Sequence, residues 1–156
     1  MNSDRLRAGF AWALSGLERV PSARTPAADE ALLDVMLVAA CADGEVFEAE
    51  MSALARGVAT LKLAGIEDPV ALERKLLEIA KRILVEGPDG RLARAAVALG
   101  HPAAKLAALR LATVVIFSDE AVQDEEPPVL LALTNALGLD AATLADAVSA
   151  AGEAMG

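Results

Sequence analysis

The sequence predicts an all-α fold, a compact bundle of about seven helices, and three observations carry that expectation. Alanine and leucine, both strong helix formers, recur along the whole chain. Tyrosine is absent, aromatic residues make up 3%, and β-branched residues rarely cluster outside Val114, Val115 and Ile116. Apolar residues return at spacings of three and four, with glycine and proline falling between the periodic stretches. A length of 156 residues with 55% hydrophobic content suits one domain around one core.

The first helix is expected from Ser3 to about Val20, with Leu6, Phe10, Leu14 and Leu17 on one face. Trp12 lies off that stripe, where it covers an edge of the core or a partner. Pro21 to Pro26 reads as a loop. A second helix, Ala27 to Ala42, is too apolar around its circumference for a surface position and belongs at the centre of the bundle. It stops at Asp43-Gly44, and a third runs from Glu48 to about Leu63, closed by Gly65. Asp68-Pro69 is a start signal for a fourth, whose buried stripe is Leu72, Leu76, Ile79 and Ile83. Its other face is charged, with Glu78 and Arg82 at i, i+4 spacing.

Gly87-Pro88-Asp89-Gly90 reads as a turn, followed by a short helix over Arg91 to Leu99. Gly100-His101-Pro102 then opens a long apolar helix to Phe117. A second acidic turn spans Asp119 to Glu126. Pro127 and Pro128 are acceptable only at the start of the next helix, which runs to about Leu137 before Gly138. Asp140 caps the last one, expected to reach Ala151.

Laid on itself with an offset of 76, the chain matches Asp43 with Asp119, Val46 with Val122, Glu48 with Asp124, Glu50 with Glu126 and Leu54 with Leu130. The register continues through Leu61 with Leu137 and Leu63 with Leu139. A register shared across helix, turn and helix points to two repeated units, about 28–65 and 104–140. At these positions the sequence resembles the tellurite-resistance TerB-like family, marked by an apolar helix ending in Ala-Asp-Gly and then a glutamate-led helix. Here that is Ala42-Asp43-Gly44-Glu45-Val46-Phe47-Glu48-Ala49-Glu50, with a second copy from Ser118 to Glu126. The likeness covers about 28–140. It departs from the family pattern at Phe47, where a small capping residue is common, and at Glu120, which replaces the glycine. The resemblance implies a helical bundle in the bacterial cytoplasm or at the membrane periphery, a stress or metal response, and metal binding at the acidic turns.

Charge is the most informative property of the chain. The first turn holds Asp43, Glu45, Glu48 and Glu50, and the second Asp119, Glu120, Asp124, Glu125 and Glu126. The remaining 14 acidic residues equal the 14 basic ones, so the whole formal charge of −9 resides in two short runs. Hard carboxylate oxygens suit Ca²⁺ or Mg²⁺, and the candidate metal ligands are Asp43, Glu45, Glu48, Glu50, Asp119, Asp124 and Glu126. Acidic residues in the first turn of a helix also stabilise it without any ligand, through the macrodipole and open N–H groups, so Glu48, Asp124 and Glu125 have an alternative explanation. Asp43, Glu50, Asp119 and Glu126 lie where capping explains less.

Other function classes find little support. The acidic balance disfavours nucleic acid, whose affinity rests on clustered Lys and Arg. The spacing around Gly44 is not that of a twelve-residue calcium loop. His101 is the single histidine, without further His or Cys at ligand spacing for zinc or a triad. No phosphate-binding loop follows Gly87-Pro88-Asp89-Gly90. Cys41, alone, cannot form an intramolecular disulfide and reads as a core residue in a reducing compartment. Arg5 and Arg7 precede a short apolar stretch, but Glu18 and Arg19 make a poor cleavage site, so this reads as an amphipathic helix. No stretch approaches the length of a membrane span, and a cytoplasmic location is expected.

The expectation is therefore a non-enzymatic interaction or sensor module with a protein partner, its acidic turns forming one negative surface that holds a divalent cation or faces a basic partner. The alternative is a metal-free helical adaptor or structural protein that docks a basic or apolar protein partner, its functional face apolar, around Phe10 and Trp12. A weak metal-dependent hydrolase stands third.

Overall fold

The structure, a computed structural model, describes residues 3–41, 48–61, 63–66, 68–118 and 128–156. Among them the architecture is all-helical: α1 (Ser3–Leu14), α2 (Pro26–Ala40), α3 (Glu48–Ala59), α4 (Pro69–Glu86), α5 (Pro88–Leu99), α6 (Pro102–Ile116), α7 (Pro128–Ala136) and α8 (Ala141–Met155). The bundle is thus one helix richer than about seven.

Helices α2 and α6 form the centre and pack on each other. Both are apolar around most of their circumference, which only a position enclosed by other helices can satisfy. Leu32, Leu33, Val35, Met36 and Leu37 of α2, and Leu109, Leu111, Ala112 and Val114 of α6, have no exposed surface. Each buried leucine of this kind contributes about 2 kcal/mol. The two helices have the same length and begin at prolines 76 positions apart, Pro26 and Pro102, each behind a side-chain cap. Thr25 Oγ1 accepts from Ala28 N at 3.0 Å, and His101 Nδ1 accepts from Ala103 N at 3.0 Å.

The packing of the outer helices follows a related pattern in the two halves of the chain. Helix α1 packs on α3, α6 and α8, whereas α5 packs on α2, α4, α7 and also α6. Exchanging α2 with α6, α3 with α7 and α4 with α8 turns the first set into three of the four neighbours of α5. Among the described residues α1 thus covers α6 and α5 covers α2, and one hydrophobic cluster runs from Leu6 in α1 to Met155 in α8.

Several helix ends differ from the sequence reading for local reasons. Helix α1 stops at Leu14, not near Val20, because Ser15 donates both its N–H and its hydroxyl to the Trp12 carbonyl and Gly16 follows. The chain continues in single 3₁₀ turns, and Leu17 stays buried. Helix α5 begins at Pro88, three residues early, because Gly87 turns the chain at φ 88° and ψ 151°, a conformation open essentially to glycine. Pro88 then occupies the first helical position, where it costs no hydrogen bond. Helix α8 reaches Met155 because Ala151 and Met155 remain on its buried face. The stripe Leu72, Leu76, Ile79 and Ile83 is buried as expected, and Glu78 pairs with Arg82.

Two glycines allow α1 to seat closely. A Cβ on Gly9 would stand 2.6 Å from Val114 Cγ1, and one on Gly57 would stand 2.9 Å from the Phe10 ring. Gly9→Val should therefore destabilise the protein by about 1–3 kcal/mol in urea unfolding. Gly90→Ala, inside α5 with nothing within 4 Å of the new methyl, should be neutral or stabilising by up to about 1 kcal/mol.

Candidate functional site

One face of α2 organises the site. Its residues Glu30, Asp34, Val38 and Cys41, at spacings of four, four and three, follow one another along that face. Glu30 accepts from Lys75 Nζ of α4 at 2.6 Å, and Asp34 accepts from Arg91 Nη2 of α5 at 2.7 Å. The next turn lines an open groove of about 330 Å³ with Val38 and Cys41, opposite Ile83 and Leu84 of α4, Gly87 and Pro88 at the α4–α5 junction, and Val129 of α7. The two ion pairs hold α4 and α5 on α2 and so set the groove walls. Leu84 stands 48% exposed at this opening.

The two pairs differ in electrostatics. Glu30 is largely solvated, and its hydrogen bond and attraction to Lys75 hold its carboxyl below the ordinary value. Asp34 and Arg91 are nearly enclosed, with side chains 15% and 11% exposed. Burial pushes the Asp34 carboxyl above the ordinary value, and the Arg91 hydrogen bond and charge pull against that rise. Glu86 adds a longer contact, 3.7 Å from Arg91 Nη1 and 3.6 Å from Arg94 Nη1. On α2 the third acid, Asp29, is buried against Arg24 at 3.2 Å.

Both acidic runs lie close in sequence to residues that line the groove. Asp43 is two residues past Cys41, so their Cα atoms lie within about 8 Å, and Glu126 is three residues before Val129, within about 11 Å. Asp43, Glu45, Asp119, Asp124 and Glu126 lie outside the described residues, as do the side chain of Glu48 and the second-run acids Glu120 and Glu125. Glu50, in the first turn of α3, is half-buried and holds a contact of its own. Among the described residues no three His, Cys, Asp or Glu side chains group closely enough for a metal ion. No helix among them is long and apolar enough to cross a membrane.

The apolar face proposed around Phe10 and Trp12 is not available. Phe10 has no exposed surface, being packed against Gly57, and Trp12 is half-buried beneath the Arg110 guanidinium, 5.0 Å from its ring centre. A second cavity, about 320 Å³, lies between Leu106 and Arg110 of α6 and Thr143, Asp146, Ala147 and Ala150 of α8. Burial holds the Arg110 pKa below its ordinary value. With Arg110 and Asp146 facing one space, that cavity selects neither sign of charge. Cys41 is buried as expected.

The sequence reading missed the Asp34–Arg91 pair and the groove beside it. Asp34 was the available signal, since a carboxylate amid a helix buried on all sides requires a cation.

No protein-family model, curated protein or solved structure matches this chain.

Arg91→Met strands Asp34 and should cost about 2–4 kcal/mol near neutral pH. Without Arg91 the folded Asp34 pKa rises further, so the deficit grows as pH climbs through that value and shrinks below the ordinary carboxylate range, where Asp34 is protonated folded and unfolded alike. Urea unfolding at roughly pH 7 and pH 4 checks this, and adding Asp34→Asn should restore much of the loss.

Proposed function

We propose that this chain is a TerB-like, non-enzymatic interaction module that docks a protein partner where its apolar groove meets the two acidic runs. The observation carrying this reading is that Cys41 and Val129 line one groove, so the start of the first run and the end of the second are anchored beside the same apolar surface. A negative charge of nine concentrated in two segments selects a basic partner and speeds its encounter. The apolar groove supplies the buried contact on which affinity depends. On this reading the protein acts in a bacterial stress response, in the cytoplasm or at the membrane periphery.

The same anchoring favours a second form of the reading, in which Asp43 and Glu126, with neighbouring carboxylates, hold Ca²⁺ or Mg²⁺ and make docking metal-responsive. His101 Nδ1 already serves as the α6 cap, which makes it a poor candidate for an acid–base role.

Neutralising Asp43, Glu45, Asp119, Asp124 and Glu126 to Asn or Gln should raise the thermal midpoint by a few degrees, because like charges no longer repel. A fall of similar size would mean that they serve as helix caps, and the docking reading would be lost. For the metal form, unfolding is followed in chelator and then with Ca²⁺ or Mg²⁺ at constant ionic strength. A saturating rise with one ion, abolished by Asp43→Asn with Asp119→Asn, supports a sensor. An equal response to K⁺ reduces the metal effect to screening.

A further inference from the structure

The cavity between α6 and α8 has one donating wall and one accepting wall. On α6 the Arg110 guanidinium lies over the Trp12 ring, 5.0 Å from its centre. That contact uses the flat face of the guanidinium and leaves its N–H donors, which point outward in the plane, uncommitted. Arg110 Nε is buried without a hydrogen-bond partner, and no ion pair among the described residues includes this side chain. The other arginines that reach inward are answered: Arg24 by Asp29, Arg91 by Asp34, and Arg5 by the Phe117 carbonyl. A cation drawn partly out of water without an anion costs the fold stability, and an incoming anion removes that cost.

The facing wall accepts. Thr143 and Asp146 stand three residues apart on one face of α8, and both line the cavity. Thr143 Oγ1 donates to the Asp140 carboxylate at 2.7 Å, so what remains of its oxygen can only accept. Asp146 is exposed and, like Arg110, takes part in no ion pair among the described residues. Arg110 and Asp146 thus share one space without neutralising each other.

We propose that this cavity binds a small zwitterion, a free apolar α-amino acid, whose carboxylate meets Arg110 and whose ammonium meets Asp146 and Thr143 Oγ1. A planar guanidinium with open N–H groups recognises a carboxylate through paired hydrogen bonds. Asp146 in the same space and the net charge of −9 both disfavour a ligand that is anionic as a whole, whereas a zwitterion brings no net charge. Leu106, Ala147 and Ala150 make the rest of the lining apolar, and the volume of about 320 Å³ suits a small molecule. The site stands on α6 and α8, apart from the groove, and is independent of the docking reading.

The test is calorimetric titration of the full chain with L-leucine and three relatives. Isocaproate lacks the amine, isoamylamine lacks the carboxylate, and leucine amide has the carboxylate blocked. Leucine is expected to bind one-to-one with a Kd below about 1 mM, at least about tenfold more tightly than each relative. Asp146→Asn should weaken leucine about tenfold while leaving isocaproate unchanged or tighter. Asp89→Asn, at an exposed position of α5 outside the cavity, should change leucine affinity less than about twofold. Arg110→Met should abolish leucine binding without lowering the urea midpoint, because it removes a desolvated charge that has no carboxylate partner. Should that variant fail to fold, Asp146→Asn and the ligand series decide. No saturable heat with leucine up to roughly 10 mM would overturn the site. Isocaproate binding as tightly as leucine would overturn the zwitterion and leave a site for anions, and isoamylamine doing so would remove the role of Arg110. Equal losses in Asp146→Asn and Asp89→Asn would overturn the placement in this cavity.

Discussion

Helix α2 must be enclosed on every side although it carries three acids, and the rest of the molecule is arranged to meet that demand. Its apolar residues require helices all round, and each acid requires a cation reaching in from one of the enclosing segments. Arg24 from the preceding loop, Lys75 from α4 and Arg91 from α5 answer Asp29, Glu30 and Asp34 in turn. A hydrophobic surface alone is non-directional and would let α4 and α5 slide along α2. The paired charges fix their register. The enclosed pair at Asp34 acts chiefly through the penalty of misplacing it, because a buried charge without its partner is costly while the intact pair adds little net stability.

Much of the fold was legible in the sequence because the chain marks its helices with strong local devices. Asp68 before Pro69, Asp140, and prolines at the first positions of α6 and α7 each point to a boundary with a physical reason, whereas Pro26, read as loop, opens α2. The ends that shifted depended on competition between side chain and backbone, as at Ser15, or on a single glycine dihedral, as at Gly87. Such effects are settled by geometry that spacing does not encode. The central position of α2 was readable because no amphipathic arrangement accommodates its composition.

The site was legible only in part. Concentrated charge is a property of composition, so the two acidic runs stood out at once. The groove is lined from α2, α4, α5 and α7, so it needs four helices in place before it exists. The same applies to the exchange of first helices between units, because α1 and α5 share no pattern that the offset of 76 would align. Phe10 misled for a related reason: an aromatic residue on an apolar stripe looks the same whether it faces a partner protein or the other half of its own chain.

The way the units cover each other also bears on how the chain folds as it is made. The hydrogen bond from Arg5 to Phe117 spans 112 positions. Helix α1 is synthesised well before its seat on α6 and α8, so the contacts it makes are of high order and form late. Until they form, α1 is an amphipathic, arginine-bearing helix whose Leu6 and Phe10 lack the cover they have in the finished bundle.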